Sequence, residues 1–338
     1  MMKTTQDNNE RPFSERRRQQ FLTEEFAVYE LAHCKKMAEA FELQMVADDT
    51  DEEGASLLTA SMADNSFEWL SLSYTAGNPI EPLRGDLEVV AAAYERYAQS
   101  LRTYENEPRF PAFGFQEIAD FERLAQLLGL CYLLHRRDLI PRLHALIAES
   151  AYDGEDAVYE ELVGHVLPDR PYLENWYHKQ PYLHLLNATD KTEPADKTSE
   201  LIAYCEAWYP AMADAPWHDG HKRIQGTEGD YFGYWAFEAG AIALLYDIDD
   251  RAIDHLVYPK DLVAWARANK HLSEEPSDVI PHGRCEAGQP CPRSGFWFTP
   301  AQAGSRRFFK VGEVMPSVDG DYGATIWQWD RNQDEPQL

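Results

Sequence analysis

Along most of the chain, apolar residues recur at steps of three and four, the spacing of one buried face of a helix. From Ser14, the positions Phe21, Leu22, Phe26, Tyr29, Leu31, Cys34, Met37, Phe41 and Met45 form such a stripe. They predict an amphipathic helix of about thirty residues. Its other face carries Arg16, Arg17, Arg18, Glu24, Glu30, Lys35, Lys36 and Glu42, which reads as a solvated face. Residues 1–14 are polar and are expected to be disordered. An acidic cluster of Asp48, Asp49, Asp51, Glu52 and Glu53 then ends at Gly54, and suits a loop or a fresh helix start, where carboxylates are favoured. Further helices are predicted over 55–75, 86–105, 115–135, 138–151 and 153–166, separated by Pro, Gly or acidic punctuation. DRPYLENWYHKQPYLHLL reads as an aromatic-rich helical pair broken at Pro181, then 187–200 as a loop, 201–209 as a helix and 210–219 as a turn. The last helix expected is 260–270, and a short one is expected over 251–257.

After residue 275 the period changes. GFWFT, RRFFKVGE and ATIWQW are short strand signals set among Gly and Pro, so three or four strands are expected to form an SH3-like barrel or curled sheet. The fold class is therefore mainly α, an antiparallel multi-helix body with a small C-terminal β module. Its expected divisions are a helical region over 15–186, a helical core over 187–275 and the β module over 281–338. Cys285 and Cys291, with His282 ahead of them, allow three readings: part of a zinc site lacking its fourth ligand, a labile disulfide, or two free cysteines in a tight turn. The third is preferred, because the spacing is not that of a zinc knuckle.

The stretch WHDGHKRIQGTEGDYFGYWAFEAGAIALLYDIDD, residues 217–250, stands apart. Between Phe232 and Tyr246 the only charge is Glu238, which predicts a buried central helix. Gly233, Ala236, Gly240 and Ala243 would give it a stripe of small side chains for close helix approach, while Trp235 and its apolar neighbours fill the other faces. A carboxylate there is costly unless paired. His221, Lys222 and Arg223 are the nearest bases, so a structural ion pair that fixes helix docking is the favoured role of Glu238. A metal cluster of His218, His221 and Glu238, and with it a metal-dependent hydrolase, is the rival.

The run HK...GDYFGYWAFEAGAIALLYDIDD, followed by YPKDLVAW, resembles the domain shared by the PoNi-type bacterial immunity proteins, over His221 to Trp265. That resemblance implies an all-helical protein that binds and blocks a polymorphic DNase toxin delivered between cells by contact-dependent secretion, such as type VI secretion. It identifies a structural core, with Gly233, Trp235 and Glu238 in it, rather than a toxin contact.

Charge adds to this picture. Among 338 residues there are 58 Asp plus Glu against 31 Lys plus Arg, a formal charge of −27. Residues 281–338 are nearly neutral, with Glu286, Glu313, Asp319, Asp321, Asp330, Asp334 and Glu335 against Arg284, Arg293, Arg306, Arg307, Lys310 and Arg331. The negative field thus belongs to the helical part. It disfavours nucleic acid and membrane headgroups and attracts a basic protein such as a nuclease domain. The acids expected to meet such a partner are Asp219, Glu228 and Asp230, together with the cluster from Asp48 to Glu53. No Gly-rich phosphate loop, nucleophile elbow or paired CxxC motif occurs, so neither catalysis nor a cofactor is expected. The start lacks a signal-like apolar segment and no transmembrane run is present, and the odd cysteine count fits a reducing compartment, so the cytoplasm is the expected location. A helical scaffold with no toxin partner is the remaining alternative.

Overall fold

In a computed structural model the chain is described at residues 11–46, 51–272, 284–291, 294–299, 302, 304–318 and 325–330. Among these residues there are eleven α-helices: α1 (Phe13–Arg16), α2 (Glu24–Val46), α3 (Glu52–Thr75), α4 (Leu83–Tyr104), α5 (Ile118–Leu133), α6 (Ile140–His144), α7 (Ala157–Gly164), α8 (Lys179–Asp190), α9 (Pro194–Ala211), α10 (Phe237–Leu245) and α11 (Lys260–Ala268). Four strands follow: β1 (Arg284–Glu286), β2 (Gly295–Phe298), β3 (Arg307–Phe309) and β4 (Ile326–Trp329). The molecule is mainly α with a small antiparallel sheet. Backbone contacts divide it into two units, one of Met1–Leu162 with Leu173–Glu274 and one of Val163–Tyr172 with Glu275–Leu338.

The helical unit is organised around α5. From Phe121 to Leu134 every residue except Arg123 is buried. Against it lies α10, and Gly129 explains how close they come: a Cβ there would sit 2.7 Å from both Phe237 C and Glu238 N. Only a glycine permits that approach without moving backbone. Around this pair α3 packs on α4, α2 on α3, and α8 on α9.

Several expected elements differ. The thirty-residue helix is broken between Arg16 and Glu24, because Arg17 is extended and Thr23 begins a new helix, accepting the Phe26 N–H on its hydroxyl with Glu24 and Glu25 in the first turn. The loop expected over 187–200 is mostly helix. Pro194 occupies the first turn of α9, where its missing N–H costs nothing, and the polar residues of this turn face solvent. Over 138–151 only α6 and a 3₁₀ turn at Arg137–Leu139 form; Arg102 donates to the carbonyls of Ala145 and Leu146. The central helix is shorter than expected, since 231–236 is irregular and α10 begins at Phe237. No helix forms over 251–257.

In the second unit the sheet order is β1-β4-β2-β3, every neighbour antiparallel, with Cys285 opposite Trp327 and Phe296 opposite Phe308. Cys285, Cys291, Trp297, Phe309, Met315 and Trp327 make its core. The Phe309 and Trp327 rings meet edge to face at 4.9 Å, and Trp327 Nε1 donates to Pro316 O at 2.8 Å. No disulfide joins Cys285 and Cys291. His282 lies outside the described residues.

Candidate functional site

Within the stretch singled out in the sequence, residues 231–236 form an irregular strap leading into α10. A strap surrounded by helices has no strand to pair with, so its backbone groups must be satisfied by side chains. Gln19, buried, does most of this. Its Nε2 donates to Tyr234 O at 2.6 Å and Leu256 O at 3.0 Å, and its Oε1 accepts from Tyr234 N at 2.9 Å and from the Tyr231 hydroxyl. Thr75 and Ser71 of α3 donate to Phe232 O at 2.7 and 3.0 Å, and Gln126 of α5 donates to Trp235 O at 2.6 Å. Trp235 Nε1 in turn donates to Thr75 Oγ1 at 2.9 Å. Gly233 makes this possible. Its φ is +111°, and a Cβ there would overlap Thr75 Oγ1 and the Trp235 indole. The small-residue stripe expected of a helix therefore has another meaning: Gly233 serves the strap, and Gly240 lets Pro259, Val263 and Leu133 close on α10.

Glu238 is fully buried in the first turn of α10. The basic partner expected for it is not there. Lys222 pairs with Asp219 at 2.8 Å and Arg223 grips Asp230 with two bonds of 2.9 and 3.0 Å, while His221 bonds Tyr234. Glu238 Oε1 accepts instead from the Tyr204 hydroxyl of α9 at 2.7 Å. Among the described residues its Oε2, the Tyr182 hydroxyl and Trp208 Nε1 lack hydrogen-bond partners. Burial raises its pKa to about 7, opposed by the Tyr204 bond, its own main-chain N–H and the nearby Trp208 indole. Glu122 of α5, bonded by Gln126, is raised as well by burial, with Glu238 adding repulsion. The carboxyls are thus kept protonated at mildly acidic pH rather than ion-paired.

The histidines are held in aromatic packing. The Tyr234 hydroxyl accepts the His221 main-chain N–H at 3.1 Å and shares a hydrogen bond with His221 Nδ1 at 2.7 Å, and the His221 ring lies 4.3 Å from Phe21. Burial lowers the pKa of His221, so the ring is neutral at pH 7. His218 stacks on Tyr209 at 4.3 Å. Glu238 is bound elsewhere, to α9, and no three His, Cys, Asp or Glu side chains among the described residues gather in a way that could hold a metal ion. The metal cluster of His218, His221 and Glu238 is not assembled.

Of the acids expected to face a partner, Asp219 and Asp230 already hold internal cations, and Asp219 also accepts from the Tyr209 hydroxyl at 2.8 Å. Glu228 is exposed. Asp51 caps α3 by accepting from Gly54 N at 2.8 Å, leaving Glu52 and Glu53 exposed; Asp48 and Asp49 lie outside the described residues. Two further acids join Glu228. Its turn rests on the start of α2, where a Cβ at Gly226 would lie 3.9 Å from Glu25 Oε1, so Glu25 lies beside the turn that carries Glu228, and Glu24, Glu25 and Glu228 are all exposed. Nearby Asp230, Glu30 and Asp64 act on half-buried Glu68, whose pKa is raised to about 7, first by burial, with Arg123 opposing. Glu24 was legible only as part of a solvated helix face and Glu25 was not singled out, and their nearness to a turn two hundred residues away was not visible in the sequence.

Asp250 shows the ion pair that Glu238 lacks. It is bonded by Arg267 of α11, which also donates to Ile248 O at 2.7 Å, and by the Tyr258 hydroxyl at 2.9 Å. Neighbouring Asp249 is held near pKa 2 by Arg251.

The strap and α10 lie within a stretch that a family model matches. The family model described as "PoNe immunity proteins (PoNi), C-terminal" matches residues 154–262, from the α7 region through the strap and α10 into α11. The crystal structure of protein PA2201 from Pseudomonas aeruginosa is similar in fold, with a TM-score of 0.59 and 22% identity over 75% of this chain and 92% of that one. No curated protein matches this chain. Over residues 154–262, then, this chain matches the C-terminal region of the PoNe immunity proteins.

Proposed function

We propose that this chain is a cytoplasmic immunity protein that binds a secreted antibacterial toxin and blocks it by occlusion, without catalysis of its own. The observation that carries this reading is the PoNi match, which supports a role in immunity in general. The formal charge of −27 suits a basic toxin, for which a DNase domain with a phosphate-binding cleft is the natural class. The contact surface proposed is the exposed acidic face of Glu24, Glu25 and Glu228, with Glu52 and Glu53 as a second group. Asp219 and Asp230 contribute by holding the loop, since their charges are already met.

The test is co-expression with the toxin encoded beside this gene. Growth should be rescued, and purified partners should form a stoichiometric complex whose association slows steeply with salt, because exposed charges are screened over about 8 to 10 Å at physiological ionic strength. Reversal of Glu24, Glu25 and Glu228 to Lys should slow association more than reversal of exposed Glu105 and Glu155. Continued killing in the presence of soluble protein sinks the reading.

A further inference from the structure

Within the helical unit, on an acidic protein, one open cleft of about 740 Å³ carries more cations than carboxylates in its lining. It lies between the chain around α1 and the segment 254–261. Arg11, Arg16, Arg17, Arg18 and Lys260 border it, against Glu15, Asp254 and Asp261. How these cations are held matters more than their number. Arg18 is neutralised by Asp261. Arg16 and Arg17 are fixed instead by main-chain carbonyls, of Ala76 at 3.3 Å and of Leu22, and Lys260 by the carbonyls of Arg251 at 3.1 Å and Ile253 at 3.0 Å. Among the described residues none of the three has a carboxylate within ion-pair distance, whereas Arg123, Arg136, Arg142, Arg223, Arg251 and Arg267 all do. A carbonyl orients a cation without cancelling its charge. The supporting backbone is fixed too: Arg18 N donates to Thr75 O at 2.8 Å, and the Arg16 carbonyl packs where a Cβ on Gly77 would be.

Uncancelled, oriented cations in a cleft are a receptor for oxyanions. Phosphate-rich ligands are disfavoured, both by the charge of the whole chain and by the three carboxylates in the same lining. A protein segment of mixed character fits better, since it can set carboxylates against the cations and apolar atoms against Leu256, which is exposed in the cleft. We infer that the cleft formed by Arg16, Arg17 and Lys260 receives an acidic segment of the toxin, an inference that rests on the immunity reading above. It gives the complex a contact of opposite polarity to the acidic face, and so fixes register where a purely acidic surface would only attract.

The test turns on sign. If the negative surface alone recruits the toxin, Lys260→Glu adds negative charge and should bind equally well or better. The cleft requires the reverse: Lys260→Glu should weaken the complex with the neighbouring toxin about tenfold, and Asp254→Lys should tighten it about threefold. Lys260→Arg should bind as the unaltered chain does. Lys260→Glu also gives up the bonds to the Arg251 and Ile253 carbonyls, so Lys260→Gln is measured beside it with a thermal melt of each; affinity lost by the Glu variant beyond that lost by the Gln variant reports the charge. Arg17→Glu gives a second reading in the same direction. An intact complex indifferent to these changes, or strengthened by Lys260→Glu, overturns this inference and leaves the immunity reading standing. Failure of the unaltered chain to bind or protect overturns both.

Discussion

At the N-terminal end of α10 the carboxyl of Glu238 is buried against Tyr204 with no cation beside it, whereas just past the C-terminal end Asp250 is buried against Arg267 and Tyr258. One acid avoids the cost of a buried charge by keeping its proton, the other by keeping a counterion. Position along the helix favours this division only in part. A carboxylate in a first turn gains from the helix dipole, yet for Glu238 desolvation outweighs that gain and the Tyr204 bond together. The lesson is that a lone acid in an apolar motif does not announce an ion pair, and the comparison can be broken by experiment.

The largest effect is expected at the true pair. Arg267→Ala strips Asp250 of its cation and frees the carbonyl of Ile248, and should cost about 3 to 5 kcal/mol of stability in a urea titration. Little change would mean that Asp250 is solvated in solution. Next comes Glu238→Gln, which carries a definite sign. The folded carboxyl holds its proton up to about pH 7 while the ordinary value is 4.5, so the folded protein binds more protons across that window. Stability therefore falls as pH rises from about 4.5 to 7 and levels above, by roughly 3 kcal/mol for this group. Glu238→Gln should be nearly neutral at pH 4.5, stabilising at pH 8, and should remove about one proton from the pH slope of the unfolding free energy. A variant less stable at pH 8 than at pH 5, relative to the parent, would restore the ion-pair view.

A neutral polar group sharpens the contrast. Gln19→Ala leaves Tyr234 N and O and the Leu256 carbonyl without their partner, and should cost about 1 to 3 kcal/mol, with faster hydrogen exchange at the Tyr234 amide than at the middle of α5. The smallest effect belongs to Arg223→Ala. Its pair with Asp230 is roughly half exposed on both sides, at 46% each, so the loss of stability should be the smallest of the four and shrink in salt.

Much of the architecture could be read from periodicity. The helices over 55–75, 86–105 and 115–135 correspond to α3, α4 and α5, and the strand signals GFWFT, RRFFKVGE and ATIWQW to β2, β3 and β4. Misreadings cluster where tertiary partners override local pattern. The helix expected from Ser14 was read straight through residues 17–23, and nothing local shows that Gln19 turns inward. Glu238 was legible as unusual, and Gly233 and Trp235 as parts of a core. Their roles were not, because Thr75 and Tyr204 come from helices distant in sequence. Asp156, a natural choice for a solvated control, is buried and accepts from Val158, Tyr159 and Tyr177 N–H groups, a cap visible only once the chain returns at Tyr177.

The strap also sets an order of events during synthesis. Its backbone is satisfied by Gln19, Ser71, Thr75 and Gln126, at sequence separations of 215, 161, 157 and 109. Contacts so far apart form late, after the loops between them have been closed. Helices α2 to α5 must leave the ribosome with a slot among them still empty, its amides and hydroxyls waiting on water, until residues 231–236 emerge and fill it. A nascent chain halted short of Tyr231 would therefore present that slot open to water, an incompletely packed state of the kind on which chaperones and proteases act.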